Sequence, residues 1–154
     1  MKKSTIILLV AAAILVMWCI SSYNSLVQKD EKVTAEWGNV ETQYQRRADL
    51  IPNLVEVVKG YAKHEQGTLT AVIEARSKAT SITIDPSNIT PEELAKYQEA
   101  QQGVTSALGK LLAVAEAYPD LKANQNFLQL QQEIADIENK LAAVRRYFNT
   151  ATRE

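Results

Sequence analysis

The segment Ser4–Ile20, STIILLVAAAILVMWCI, decides the architecture of this chain, because its 17 residues carry no charge. A helix needs about 17 to 25 apolar residues to cross the roughly 30 Å hydrocarbon core of a bilayer, so this segment is long enough to span one. The rest of the 154-residue chain has the pattern of water-soluble helices. We therefore predict a membrane anchor at residues 1–22 and a body at residues 23–154.

A secretory signal peptide is the alternative interpretation, because Lys2 and Lys3 precede the apolar run. Cleavage requires small residues at the end of the apolar core, where Met17, Trp18 and Cys19 stand instead, and a cut after Ser21 would place Cys19 and Ser21 at the small positions, which is a weak match. This favours an uncleaved, single-pass anchor. The positive-inside rule then places the short N-terminus in the cytoplasm. The body is expected on the periplasmic or other extracytoplasmic side of the inner membrane.

Composition narrows the class of protein. The formal net charge is −1, and no basic stripe of the kind that binds nucleic acid is present. Cys19 is the only cysteine and lies in the apolar run, which excludes disulfides and cysteine-based zinc sites within one chain. Five glycines and four prolines are few for a β-rich chain, and the abundance of strong helix formers favours an all-α fold.

The first helix is predicted to continue from the anchor into the body. Apolar residues recur on one helical face without an interrupting proline, at Leu26, Val33, Trp37, Val40 and Tyr44. Pro52 disfavours helical backbone at Ile51 and lacks an N–H donor, so we predict a tight reversal at Ala48–Ile51 and a second helix from about Ile51 to Ala79. The alternative is one long helix kinked at Pro52.

Two more helices complete the predicted body. After a loop over residues 81–89, Thr90 is expected to cap the third helix, with Glu93 completing a capping box. Pro119 ends that helix, and Asp120 is expected to cap the fourth. The fourth helix has an apolar heptad stripe, Phe127, Leu130, Ile134, Ile137, Leu141, Val144, Phe148 and Ala151. The prediction is therefore a transmembrane helix that continues into an elongated antiparallel four-helix bundle.

The corner around Pro52 holds four candidate contacts to a partner subunit: Arg46, Arg47, Asp49 and Asn53. A purely structural interpretation also fits them. Asp49 would cap a helix, Arg47 would pair with Asp49, and Asn53 would bond the backbone freed by Pro52.

A second candidate set lies near the C-terminus. Alternation of helix direction returns Arg145, Arg146 and Arg153 toward the membrane, where they could contact lipid headgroups. Arginines in a last helical turn also complement the helix dipole.

The sequence does not indicate an enzyme. His64 is the only histidine, and its neighbours supply no metal-ligand set. Carboxylates such as Glu92 and Glu93 are adjacent in sequence and point to different sides of a helix, whereas general acid–base chemistry needs them to converge. We expect no cofactor and no metal.

Several motifs are spread over most of the chain: Tyr23-Asn24-Ser25-Leu26-Val27, the segment Gln45 to Val55, Val58-Lys59-Gly60-Tyr61-Ala62, His64-Glu65, Ala75-Arg76, the segment Tyr118 to Asn124, and the segment Arg145 to Asn149. In these motifs and in their order, the chain resembles the LemA family of bacterial membrane proteins. The resemblance implies a single-pass membrane protein with a helical-bundle body and no established enzymatic activity. One branch of the family is associated with magnetosome membranes.

These observations favour a non-catalytic scaffold that self-assembles at the membrane. Its expected partners are the lipid bilayer and further copies of the chain. The alternative is an adaptor or sensor body that docks another membrane protein. That role is weaker, because only Met1 to Ser4 would remain inside to receive a signal.

Overall fold

The computed structural model describes residues 3–153, and its secondary structure is helical. The helices are α1 (Lys3–Tyr61), α2 (Gln66–Thr80), α3 (Pro91–Ala115), α4 (Pro119–Lys122) and α5 (Gln125–Ala151). Within this described range there is no β-strand. The predicted all-α fold with a long N-terminal apolar helix is confirmed. Lys2, on which the predicted orientation partly rests, lies outside the described residues.

Helix α1 joins the apolar run to the body without a break. Its 59 residues extend over about 88 Å. Among the described helices, α1 alone is long and apolar enough to cross a membrane, and the side chains of its apolar window are not buried by the rest of the chain. Burial begins beyond this window, where Trp37 is the first fully enclosed side chain of α1.

The predicted reversal at Ala48–Ile51 is wrong, because α1 continues through Pro52 to Tyr61. The chain reverses at residues 62–65, and the second helix begins at Gln66 rather than near Ile51. The alternative interpretation, one long helix through Pro52, is the one that the structure adopts. Asp49 therefore caps no helix, and its carboxylate accepts a hydrogen bond from Gln45 within α1.

The larger apolar core fills the half of the body that lies away from the apolar run. Helix α1 packs against α5 and α2, and α2 packs against α3. All five helices contribute to this core, which includes Leu54, Val72, Leu111, Leu121 and Phe127. This arrangement is consistent with the predicted bundle, whose two ends are the turns at residues 62–65 and the loop that follows α2.

A second apolar cluster lies nearer the apolar run. Helix α2 has only 15 residues, so the extended segment 81–90 takes its place and buries Ile84 against this cluster. Trp37 is its centre, with edge-to-face contacts to Tyr97 (centroids 5.1 Å apart) and Phe148 (5.3 Å). Such aromatic pairs add to the free energy of burial.

Of the two predicted helix caps, the one at Thr90 is confirmed and the one at Asp120 is wrong. Thr90 caps α3, and the capping box with Glu93 is present. Asp120 does not cap the last long helix, because it lies inside the short α4. Asn124 does so instead, and its Oδ1 accepts the Phe127 N–H at 3.0 Å. The apolar stripe of α5 is buried or half-buried at all eight predicted positions.

Candidate functional site

The most constrained polar group in the body is Arg47, whose side chain is 1 % exposed. From α1 its guanidinium reaches both α3 and α5. Nη1 donates to Thr105 Oγ1 (2.7 Å) and to Glu138 Oε1 (2.7 Å). Nη2 donates to the Gln101 carbonyl oxygen (2.9 Å) and to Gln101 Oε1 (2.8 Å). The four N–H bonds of the two terminal nitrogens are therefore all used within the chain.

Helical periodicity explains why Arg47 is inside. It lies three residues after Tyr44 and four before Ile51, both of which are buried, so its side chain points into the body. The Tyr44 ring lies 5.1 Å from the guanidinium carbon. A buried cation is costly unless it is paired and hydrogen-bonded, and here Glu138 supplies the charge and α3 the remaining acceptors. Arg47 thus ties three helices together.

Cavities lie on both sides of this arginine. One, of about 460 Å³, lies between α3 and α5, and Arg47, Thr105 and Glu138 line it. The other, of about 160 Å³, lies between α1, α3 and the end of α2, and Arg47, Arg76 and Gln101 line it. Arg47 and Gln101 border both cavities, and with Thr105 and Glu138 they form a polar layer in the body.

A second polar tie lies within the same layer. Because Pro52 has no N–H, the Ala48 carbonyl oxygen lacks its helical donor. Arg76 Nε, from α2, donates to that oxygen at 2.8 Å. Asn53, which we expected to bond the freed backbone, is exposed, so that expectation is wrong.

Two tyrosines near Arg47 are held in the neutral form. Burial raises the pKa of Tyr44 above its ordinary value, and this rise is opposed by the Arg145 and Arg47 cations. Burial likewise raises the pKa of Tyr97, and the Glu41 carboxylate adds to the rise. Both hydroxyls therefore stay protonated throughout the physiological range.

The four predicted contacts around Pro52 do not form one site. Arg47 is internal and pairs with Glu138, whereas Arg46, Asp49 and Asn53 are exposed on the outside of α1. The predicted pairing of Arg47 with Asp49 is wrong. Arg46 and Asp49 instead line a surface groove of about 240 Å³ between α1 and α5. A partner contact through these three exposed residues stays a prediction.

The three C-terminal arginines are exposed at the end of the body that faces the apolar run. Phe148 contacts Trp37, which lies 17 residues and about 26 Å beyond Ile20 along α1. Along α5, Arg145 and Arg146 come shortly before Phe148 and are slightly farther from the apolar run. Arg153 comes about one and a half turns after Phe148 and is nearer to the apolar run. Lipid contact by these arginines stays a prediction.

The sequence does not single out the partners of Arg47. Gln101 lies four residues after Tyr97 and three before Val104, on one face of α3, and a polar residue at such a core position is the available signal. Thr105 and Glu138 carried no comparable signal. Arg76 appeared only within a family motif, without a role.

The polar residues around Arg47 form hydrogen bonds that connect helices. In the described part of the chain, no group of three or more histidine, cysteine, aspartate or glutamate side chains could hold a metal ion. His64 is exposed on the turn between α1 and α2. The polar groups around Arg47 are engaged with one another, so their observed chemistry is to hold α1, α3 and α5 in register.

Comparison with known proteins gives the relatives of this chain. The chain is 28 % identical over 126 residues to protein LemA of Metamycoplasma hominis, covering 82 % of this chain and 54 % of that protein. It is 25 % identical over 146 residues to magnetosome protein MamQ of Magnetospirillum gryphiswaldense, covering 84 % and 54 %. The same values apply to magnetosome protein MamQ 2 of Paramagnetospirillum magneticum. The chain thus spans about half the length of these relatives.

The family profile extends over nearly the whole body. It matches residues 36–154, which begin one residue before Trp37 and include every helix after α1. With the apolar N-terminal third of α1, the match describes a membrane-associated helical protein. This chain belongs to the LemA family.

Proposed function

We propose that the protein is a non-catalytic, membrane-anchored scaffold that self-assembles at the bilayer. The observation that carries the proposal is the continuity of α1, which extends 41 residues, or about 60 Å, beyond Ile20 without a break. A helix that belongs to both anchor and body fixes the angle between them. Assembly of the bodies would therefore impose a geometry on the membrane.

The interior of the body supports a structural role. Its two apolar clusters are filled by side chains, and the Arg47 guanidinium uses its terminal donors on its own helices. An active site needs polar groups that are positioned and also available to a substrate. Here the Arg47 guanidinium and its acceptors on α3 and α5 serve one another.

The orientation forms part of the proposal. We propose a single-pass protein of the inner membrane, with residues 1–22 as the anchor, a cytoplasmic N-terminus and an extracytoplasmic body at residues 23–154. The test uses Cys19→Ser, which removes the single thiol, together with Ala71→Cys on the exposed face of α2. A membrane-impermeant thiol reagent should label this double variant in intact cells. Labelling only after the membrane is opened would contradict this orientation.

The oligomeric state tests the scaffold itself. The full-length chain, purified in neutral detergent and reconstituted into nanodiscs of several diameters, should give discrete species larger than a monomer by mass photometry. A monodisperse monomer that co-purifies with another membrane protein would contradict the scaffold and favour an adaptor.

A further inference from the structure

Two stretches of the body carry charge of a single sign. Residues 81–95 contain three acidic side chains and no basic one: Asp85, Glu92 and Glu93. Residues 139–153 contain four basic side chains and no acidic one: Lys140, Arg145, Arg146 and Arg153. All seven are exposed. We call these stretches the acidic segment and the basic segment.

The two segments lie at the same height above the apolar run. Ile84 and Ile89 of the acidic segment pack on the Trp37 cluster. Phe148 of the basic segment contacts the Trp37 ring itself. Because both segments pack around one residue of a continuous helix, both lie around the level of Trp37.

The segments also lie on different flanks of α1. The basic segment is the end of α5, and the acidic segment follows α2 and leads into α3. Helix α1 packs against both α5 and α2. One flank of the body thus carries the exposed cations of the basic segment and another carries the exposed carboxylates of the acidic segment, both around the level of Trp37.

We propose that the basic segment of one copy binds the acidic segment of the neighbouring copy in the same membrane. This inference rests on the self-assembly proposed above and names the surfaces that would make it. Copies anchored in one bilayer stand upright and side by side, so only surfaces of equal height can meet. Complementary charge guides such contacts and suppresses contact between like surfaces.

A contact between two different surfaces is heterologous. Each copy then offers its basic segment to one neighbour and its acidic segment to the other, which generates a closed ring or an open row. A symmetric dimer that uses the same single flank of both copies would instead place like charges together, which is unfavourable.

The height of the basic segment favours a protein partner over lipid headgroups. For an upright α1, the level of Trp37 is about 26 Å beyond Ile20, and the headgroup layer accounts for only about 5 to 8 Å of this. Arg153, the lowest member, is about 8 Å below that level. The remaining gap of roughly 10 Å exceeds the Debye length of about 8 Å at physiological salt.

The test reverses selected charges of one segment at a time in the full-length chain, which takes the acidic segment from −3 to −1 or the basic segment from +4 to 0. Glu92→Lys alters the acidic segment, and Arg146→Glu with Arg153→Glu alters the basic one. Other members are kept because they also act within the chain: the Asp85 carboxylate accepts from Ser87, and the Glu93 carboxylate completes the α3 cap.

Each variant, in a Cys19→Ser and Ala71→Cys background, is labelled with donor and acceptor dyes and reconstituted into phosphatidylcholine vesicles. The parent should show energy transfer between copies that falls with added salt. Each charge-changed variant alone should lose association by at least about tenfold, because most of the attraction between the two segments is removed. A one-to-one mixture of the two variants should recover energy transfer, because the intact basic segment of one variant then meets the intact acidic segment of the other.

Matched controls carry the same charge changes elsewhere. Glu74→Lys on α2, and Lys63→Glu with Lys110→Glu at the opposite end of the body, are exposed and should leave energy transfer unchanged. Recovery in the mixture also shows that the reversed variants are folded. A circular dichroism spectrum of each variant checks this independently.

The outcomes separate this inference from the scaffold. If the parent assembles but the reversals have no effect, or if the mixture does not recover, the charged contact is overturned and the scaffold stands. If the changes in the basic segment abolish binding to phosphatidylglycerol vesicles but leave energy transfer between copies unchanged, the ligand of the basic segment is lipid. The inference is then also overturned. If the parent itself gives no energy transfer, both proposals fail.

Discussion

Arg76 donates its Nε–H to the Ala48 carbonyl oxygen at 2.8 Å, and that oxygen is the one that Pro52 leaves without a donor in α1. A proline inside a helix normally costs about 3 kcal/mol, partly through this lost hydrogen bond. The donor from α2 compensates for that loss from outside the helix. The continuity of α1 through Pro52 is therefore linked to the packing of α2.

This link predicts that the cost of removing Arg76 depends on Pro52. Arg76→Gln should lower the free energy of unfolding by about 1 to 3 kcal/mol, because the Ala48 oxygen is left with no donor. In a Pro52→Ala background the backbone N–H restored at that position supplies the bond, so the same change should cost markedly less. Urea titration of the four variants in mild detergent measures the coupling.

Lys78→Gln serves as the control. Lys78 is an exposed residue of α2, so this substitution removes a cation without removing a contact to the core. Equal costs of Arg76→Gln in the two backgrounds would show that Arg76 does not act through the carbonyl that Pro52 exposes.

The Arg47 network predicts strong sensitivity to the shape of the guanidinium as well as to its charge. Arg47→Leu should destabilise the body by about 3 to 5 kcal/mol, because Gln101 and Glu138 lose their buried partner. Arg47→Lys keeps the charge but cannot reach acceptors on two helices at once, so it should still cost at least about 1 kcal/mol. Thermal unfolding followed by circular dichroism gives both values.

Glu138→Gln provides the comparison for that series. The Glu138 side chain is 37 % exposed, so water can replace part of its interaction, and its loss should cost less than the loss of Arg47. A larger cost for Glu138→Gln than for Arg47→Leu would contradict the central role assigned to the arginine.

The periodicity of α1 made much of the fold predictable. Buried residues recur at helical spacings of three or four residues from Trp37 to Val58. This spacing is not interrupted at Pro52, so it predicts one continuous helix. The local preference of proline predicts a reversal at Ala48–Ile51, whereas the uninterrupted period predicts a continuous helix, and the structure follows the period. The competing signal, a donor from Arg76, lies 28 residues from its acceptor and cannot be found from local sequence.

The polar layer was only partly predictable for a related reason. Arg47 and Gln101 occupy core positions of apolar stripes, which marks them as buried and paired. Their pairing depends on how α1, α3 and α5 are aligned along their axes. Helix periodicity gives the face of each helix but not this alignment, so Glu138 could not be selected among the carboxylates of α5.

Trp37 offers a test of the cluster nearer the apolar run. Its side chain is 2 % exposed, and its Nε1 has no hydrogen-bond partner among the described residues. Trp37→Ala should cost about 3 to 5 kcal/mol, because it leaves a large cavity beside Tyr97 and Phe148. Trp37→Phe should cost far less, because it keeps most of the ring contacts and removes the unpaired donor. Urea titration separates the two variants.

The matched control for these variants is Trp18→Phe in the apolar run, where the ring is 69 % exposed and outside the body. It should leave the unfolding free energy of the body unchanged. Similar losses for Trp37→Phe and Trp37→Ala would contradict a cluster held mainly by ring contacts.

The buried tyrosines predict that the body loses stability in alkali. Burial raises the pKa of Tyr97 and of Tyr44 above the ordinary value of 10.0. Above pH 10 the unfolded chain releases protons that the folded chain retains, so the free energy of unfolding falls as pH rises. The contribution of the two tyrosines to the free energy of unfolding is complete below pH 10. It is lost progressively as the pH rises toward their pKa values in the folded chain. Melting temperatures measured from pH 8 to 11.5 should therefore decline above pH 10. Tyr97→Phe should make that decline shallower. The control Tyr147→Phe changes a tyrosine that is 63 % exposed and should leave the decline as steep as in the parent. An equally steep decline in Tyr97→Phe would mean that other groups, and not this buried hydroxyl, set the alkaline limit.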